Sequence, residues 1–204
     1  MCVSKLTDFD TLTYYQTAAP VYRGSGKEGT NRFLKDFLDT LPSGARILDL
    51  GCGGGRDSRE MIRRGFDVTA CDGSATVAQQ AENRIGQTVH VLRFQDLAFD
   101  QEFDAVWASA SLLHVPRPAL TQVLRRVHRA LRPGGWHMAT YKAQGKEGRD
   151  SVGRYFNHLF VDDAHHHYQA AATWRDLSVT AYSGGGYENA TSGPWVRVLT
   201  RAAG

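Results

Sequence analysis

The chain has 204 residues, of which 42% are hydrophobic and 22% charged, so it holds enough apolar material for one well-filled globular domain. A formal net charge of +3 is a mildly basic surface, without the clustered basic tract that marks a dedicated nucleic-acid binder. The three cysteines, Cys2, Cys52 and Cys71, cannot all pair within one chain and form no C-x-x-C, which points to free thiols in a reducing compartment.

The N-terminal MCVSKLTDFDTLTYYQ lacks a basic start followed by an apolar run, so no signal peptide is expected, and no stretch is long and apolar enough to span a membrane. The expected setting is the cytoplasm. Residues 1–29 are polar and glycine-bearing and carry Tyr14, Tyr15 and Tyr22. A helix follows, because Phe33, Leu34, Phe37, Leu38 and Leu41 fall on one stripe, and Pro42, Ser43 and Gly44 end it.

The middle of the chain alternates. Arg46 to Leu50 reads as a buried strand, Ser58 to Arg64 as a helix stopped by Gly65, and Asp67 to Cys71 as a second strand. Ser74 can cap a helix running through Arg84, with Gly86 closing it. Thr88 to Phe94 and Phe103 to Ala108 are two further strands. Pro118 opens a helix whose Leu120, Val123, Leu124, Val127 and Leu131 make an apolar stripe, and Leu131 to Gly135 (LRPGG) is a turn into the strand Trp136 to Tyr141.

Near the end, Val161 to Ala172 reads as a helix. Thr173 to Tyr182 and Pro194 to Thr200 read as strands with no helix between them, hence an antiparallel hairpin at a sheet edge. The whole is an α/β single domain: a Rossmann-like, doubly wound, mostly parallel seven-stranded sheet with an antiparallel C-terminal hairpin and helices on both faces. In such sheets ligands bind beyond the carboxyl ends of the strands. The residues just after each strand are therefore the ones to read for chemistry.

The first strand ends in Asp49-Leu-Gly51-Cys-Gly53-Gly-Gly55. Glycines between a strand and a helix let a ligand approach bare backbone near the helix amides. The dinucleotide fingerprint G-x-G-x-x-G fails, since Arg56 and Ser58 stand where its last glycine belongs. The pattern DLGCGGG resembles the first motif of class I methyltransferases that use S-adenosylmethionine (SAM).

That resemblance implies a site in which the glycines admit the amino-acid part of SAM and Asp49 holds the surroundings of its ammonium group. Gly51, Cys52, Gly53 and Asp57 belong to this cofactor loop. Asp72, followed by Gly73, stands about twenty residues beyond the first glycine, where an acid accepts from ribose hydroxyls. By the family pattern, Asp96 and Leu97 flank the adenine, while Ala108, Ser109 and Leu112 border the cofactor after the fourth strand. The competing view of Asp49 and of Asp72 is ordinary turn chemistry. The layout further resembles small bacterial methyltransferases of the tellurite-resistance-like group.

His114 can hydrogen-bond substrate, accept a proton, or simply pack. Tyr141 and Arg154 are the other candidates for the catalytic side. The segment after the fifth strand, 142–160, is rich in paired charges and glycine and is expected to be a lid. Tyr141, Lys142, Arg149, Arg154 and Tyr155 are candidates for an acceptor site favouring anionic or aromatic ligands, and Tyr14, Tyr15 and Tyr22 from the N-terminal lid at 1–29 are candidates to close it. A salt-bridged loop scaffold and aromatic core packing are the competing readings.

His165-His166-His167 sit at consecutive helix positions about 100° apart, so no metal site is expected. Trp107-Ala-Ser-Ala replaces the Asn/Asp-Pro-Pro-aromatic motif of DNA and protein amide methyltransferases, and no cysteine is placed as a nucleophile. The expectation is methyl transfer from SAM to a small-molecule acceptor, driven mainly by positioning, by a monomer or homodimer with no membrane partner and none of nucleic acid. An RNA- or protein-modifying methyltransferase, a non-catalytic SAM-binding protein and a nicotinamide dehydrogenase are the alternatives.

Overall fold

The computed structural model describes residues 8–22, 29–184 and 192–203, with the side chains of 18–22 outside the description. Its strands are β1 (Arg46–Leu50), β2 (Asp67–Asp72), β3 (Val89–Val91), β4 (Phe103–Ala108), β5 (Leu131–Lys142), β6 (Gly148–Arg149), β7 (Tyr155–Phe156), β8 (Trp174–Gly184) and β9 (Gly193–Ala202). The helices are α1 (Phe9–Tyr22), α2 (Leu34–Asp39), α3 (Arg56–Arg63), α4 (Ala75–Ile85), α5 (Arg117–Ala130) and α6 (Val161–Ala171).

Seven strands form one sheet in the order β3-β2-β1-β4-β5-β9-β8. From β3 through β5 the neighbours are parallel, whereas β9 runs antiparallel to both β5 and β8. The expected architecture is the one observed.

Strand alternation divides the core. Ile47, Ala105, Trp107 and Met138 point to one face, where Leu34, Phe37 and Leu38 of α2 and Met61 of α3 cover them. Leu48, Leu50, Val106, Ala108, Ala139 and Tyr141 point to the other, under Leu120, Val123, Leu124 and Val127 of α5. Burial on both faces explains why RILDL and its neighbours read as nearly unbroken apolar runs.

Three differences from the sequence expectation matter for the site. The polar N-terminal segment contains α1, whose start is fixed by the Asp8 carboxylate accepting from the Thr11 amide at 2.8 Å. The third strand stops at Val91, and Phe94–Asp96 tightens into a 3₁₀ turn. LRPGG is not a separate turn: β5 starts at Leu131, and a register shift between Phe103 and Ala105 on β4 absorbs the extra residues. Among the described residues no helix is long and apolar enough to cross a membrane.

Candidate active site

The chain order reverses between β1 and β4, and the crevice beyond their carboxyl ends is the ligand edge of a doubly wound sheet. A cleft of about 2160 Å³ opens there, ample for a nucleoside cofactor and an acceptor side by side. The turn after β1 forms its floor. Gly51, Gly53 and Gly55 have φ of 79°, 55° and 74°, the left-handed region that glycine enters without penalty. A Cβ on Gly51 would stand 2.5 Å from Cβ of Ser111, so the approach to that loop requires bare backbone.

The turn is tied to β2. The amides of Gly51 and Cys52 both donate to the Cys71 carbonyl at 2.9 Å. Asp72 receives the Gly53 amide on Oδ2 at 3.1 Å and the Ser74 amide on Oδ1 at 2.9 Å. Burial raises the Asp72 carboxyl above the usual carboxylate range. Asp49 is 2% exposed and accepts from Ser58 Oγ. Burial first, and then the negative charge of Asp57, push it up to about 8.

Asp57 is likewise raised by burial; it accepts from the Asn31 amide at 2.9 Å and from Trp107 Nε1 at 3.0 Å. Three desolvated carboxyls thus cluster in the cleft, whose lining also holds Arg32, Arg56, Arg59, Arg84 and Arg93. A cationic ligand group placed among these carboxyls would favour their ionised forms.

A second cluster is assembled from α1, the β4 exit and the β6–β7 hairpin. The Tyr155 carbonyl accepts from His114 Nδ1 at 2.7 Å, which assigns that ring proton and leaves the Nε2 lone pair available. Nε2 then accepts from the Tyr15 hydroxyl at 3.0 Å. Burial pushes the His114 imidazole down to about 4, with the positive charges of Arg154 and Lys142 adding to the effect. Arg154 also hydrogen-bonds the Tyr15 hydroxyl, and its Nε pairs with Asp150 Oδ2 at 2.8 Å. Phe156 is the shared wall: Lys142 Nζ lies 4.0 Å from its ring centroid and the Arg154 guanidinium 5.6 Å.

Of the residues expected from sequence, Asp49, Gly51, Cys52, Gly53, Asp57, Asp72, Gly73, Ser109, His114, Lys142 and Arg154 line this cleft. Others do not. Asp96 is held by Arg93 at the surface and Leu97 is buried in the core, because β3 ends early and the cleft edge falls at Leu92–Phe94. Ala108 and Leu112 pack into the α5 side of the core; their neighbours Ser109, Ala110 and Ser111 reach the cleft instead.

Tyr141 points into the same core, its hydroxyl 3.1 Å from that of Tyr168, so it is not beside the reacting groups. Arg149 pairs with Asp8 at 2.6 Å and with Asp10 at 3.1 Å, pinning the hairpin to α1. Tyr155 uses its hydroxyl to donate to Glu147 at 2.6 Å, and only its backbone serves the site. Tyr14 packs beneath Arg154, 5.0 Å from ring centroid to guanidinium carbon, while the Tyr22 side chain lies outside the described residues.

Tyr15 lines the cleft as expected of the N-terminal tyrosines, and Asn31, Ser111 and Thr140, which carry no motif in the sequence, line it too. Ser111 donates to the Leu50 carbonyl at 2.6 Å, Thr140 accepts from the Ala110 amide at 2.9 Å, and Asn31 donates to Ser109 Oγ at 2.8 Å. Ala110 itself sits at φ 51°, an uncommon conformation for alanine, directly at the cleft. Among the described residues no group of three His, Cys, Asp or Glu side chains is arranged to hold a metal ion. His167 of the histidine run meets Thr121 Oγ1 at 2.9 Å.

The sheet order and this crevice are those of a Rossmann-like, doubly wound domain. A family model described as a methyltransferase domain matches residues 47–135, the span from β1 to the β5 bulge. Over 100 residues the chain is 41% identical to the ubiquinone biosynthesis O-methyltransferase of Xanthomonas oryzae pv. oryzae, a match covering 46% of this chain and 41% of that protein. The chain thus spans about four-tenths of the length of the curated relatives it matches.

Burkholderia thailandensis 1,6-didemethyltoxoflavin-N1-methyltransferase, solved with its substrate and S-adenosylhomocysteine, has a TM-score of 0.71 at 21% identity, covering 96% of this chain and 87% of that one. The cyclase SpnF reaches 0.74 at 16% identity, covering 97% of each chain. These likenesses show the fold, and the second shows that the fold alone does not fix the reaction.

Proposed function

We propose that this chain binds SAM and passes its methyl group to a small-molecule acceptor. One observation carries the reading: two acidic side chains, the buried Asp49 and the half-buried Asp72, flank a bare glycine turn at the point where the strand order reverses. The residues fit the cofactor. The acidic cluster suits an ammonium group, Asp72 has oxygens placed for ribose hydroxyls, and Phe94 and Leu92 offer an apolar edge for a base. A pyrophosphate in the same place would meet a cluster of three acidic side chains, Asp49, Asp57 and Asp72.

When bound, SAM supplies an electrophilic methyl on a sulfonium. The chain's own contribution is positioning: Gly51–Gly55 and Ser111 set the depth of the cofactor, and α1 with Tyr15 covers the cleft and excludes water. Neutral His114, oriented by the Tyr155 carbonyl, accepts the acceptor's proton through the Tyr15 hydroxyl. Arg154 belongs to this side as the group that holds the Tyr15 oxygen.

The ubiquinone O-methyltransferase relatives favour an oxygen acceptor, and that is the acceptor atom proposed here. The narrower grouping with tellurite-resistance-like enzymes rests on motif layout alone. Thermal denaturation is the test: SAM at a hundred times its dissociation constant raises stability by about 2.7 kcal/mol, and NAD raises it not at all. Stabilisation by NAD in place of SAM would end this reading. Binding of SAM with no labelled methyl leaving it, across a panel of hydroxylated metabolites, would reduce it to cofactor binding without transfer.

A further inference from the structure

Tyr15 is a cleft residue whose hydroxyl feels both Arg154 and Asp72, charges of opposite sign. Lys142 and Arg154 both face the Phe156 ring and both act on His114, with Asp150 the opposing charge there. Arg154 is only 9% exposed, so its positive charge is poorly hydrated. Strand alternation places Lys142 on the cleft side of β5 together with Thr140, while Tyr141 turns away. Trp195, paired with Lys142 across β5 and β9, completes the rim.

We propose that the acceptor is a hydroxylated anion: a carboxylate or phosphate that seats on Lys142 and Arg154, with its hydroxyl at Tyr15. The assignment rests on the methyl-transfer reading above. Each part of such a molecule has a partner of matching chemistry. The anion meets two cations in a partly desolvated corner, and the hydroxyl meets a hydrogen-bond chain that ends on the His114 imidazole.

The transfer balances. The acceptor oxygen forms the new bond to the methyl carbon while the carbon–sulfur bond breaks with its electron pair staying on sulfur. The acceptor's proton passes to Tyr15 Oη as Tyr15 gives its own to His114 Nε2, so the products are the methyl ether, S-adenosylhomocysteine and a protonated imidazole that releases its proton to solvent.

The test uses calorimetry on the full chain saturated with S-adenosylhomocysteine, whose own binding is measured first. Three probes are titrated: meta-hydroxybenzoate, meta-hydroxyphenyl phosphate and the uncharged methyl meta-hydroxybenzoate. The expected result is that at least one anion binds ten or more times more tightly than the ester, the carboxylate and phosphate arms telling which headgroup is preferred. Lys142→Met should collapse that ratio towards one and Lys142→Arg should keep it. Equal binding of ester and anions, binding of neither anion, or a ratio untouched by Lys142→Met would overturn the proposal. Failure of S-adenosylhomocysteine itself to bind would instead count against the methyl-transfer reading.

Discussion

The hydroxyl of Tyr15 stands 3.0 Å from Nε2 of His114, joining the N-terminal helix to the exit of the fourth strand. The other ring nitrogen donates to the Tyr155 carbonyl, so the lone pair that faces Tyr15 is the basic one. Because burial pushes the imidazole down to about 4, the neutral, proton-accepting form prevails throughout the physiological range. The acid limb of kcat/KM is therefore expected near pH 4, not near the 6.5 of an ordinary histidine. His114→Asn should lower turnover by about a hundredfold or more while leaving SAM affinity within twofold. A limb at 6.5, or full activity in the variant, would remove His114 from the reaction.

Asp49 gives stability its own pH dependence. Its folded carboxyl is raised to about 8 from 3.8, so the folded state binds a proton that the unfolded state does not. The stability this contributes is present at low pH and is lost as pH rises towards 8. Between pH 6.5 and 8 the melting temperature of the free protein should fall. Asp49→Asn should flatten that slope, and SAM, whose ammonium favours the ionised carboxylate, should reduce it. Scanning calorimetry at three pH values decides the matter; a flat wild-type curve contradicts it.

Gly51→Ala meets two separate penalties. At φ 79° the new side chain costs about 1–2 kcal/mol in backbone strain, and its Cβ would stand 2.5 Å from the Ser111 Cβ. Denaturant titration should show a loss beyond the strain alone. Adding Ser111→Gly should relieve the clash, but it forfeits the Ser111 bond to the Leu50 carbonyl, so recovery should be partial. A fully stable Gly51→Ala protein is incompatible with this turn.

Much of this was legible in the sequence because it is local. DLGCGGG and the acid after the next strand are short-range patterns, and the sheet rules carry them to the right edge. Tyr141 follows the strand's alternation: Thr140 and Lys142 share the cleft side, which sends Tyr141 into the core. Asp96 and Leu97 lie away from the cleft because β3 is three residues long, a boundary fixed by pairing with β2 that no single-strand pattern reveals. The helix carrying Tyr15 has no continuous apolar stripe. It is held instead by long-range contacts, such as Gln16 Oε1 accepting from Ser74 Oγ at 3.0 Å and Thr11 accepting from the Tyr155 amide at 2.8 Å.

Asp72 offers the sharpest separation of structure from binding. Its two oxygens each take a backbone amide, from Gly53 and from Ser74, so the side chain shapes the glycine turn and presents its remaining lone pairs to the cleft. Asp72→Asn keeps one carbonyl oxygen but turns an amide donor towards an N–H donor, and Asp72→Ala leaves both amides without their acceptor. Each unmet amide costs about 1–3 kcal/mol, and tenfold in affinity corresponds to about 1.4 kcal/mol. Both variants should therefore lower stability and, by loosening the glycine turn and removing a ribose acceptor, also bind SAM at least tenfold more weakly, with Asn offering little rescue over Ala. Calorimetry on proteins shown to be folded by circular dichroism reads this directly, and a folded Asp72→Ala chain with undiminished SAM affinity would mean that the cofactor lies elsewhere.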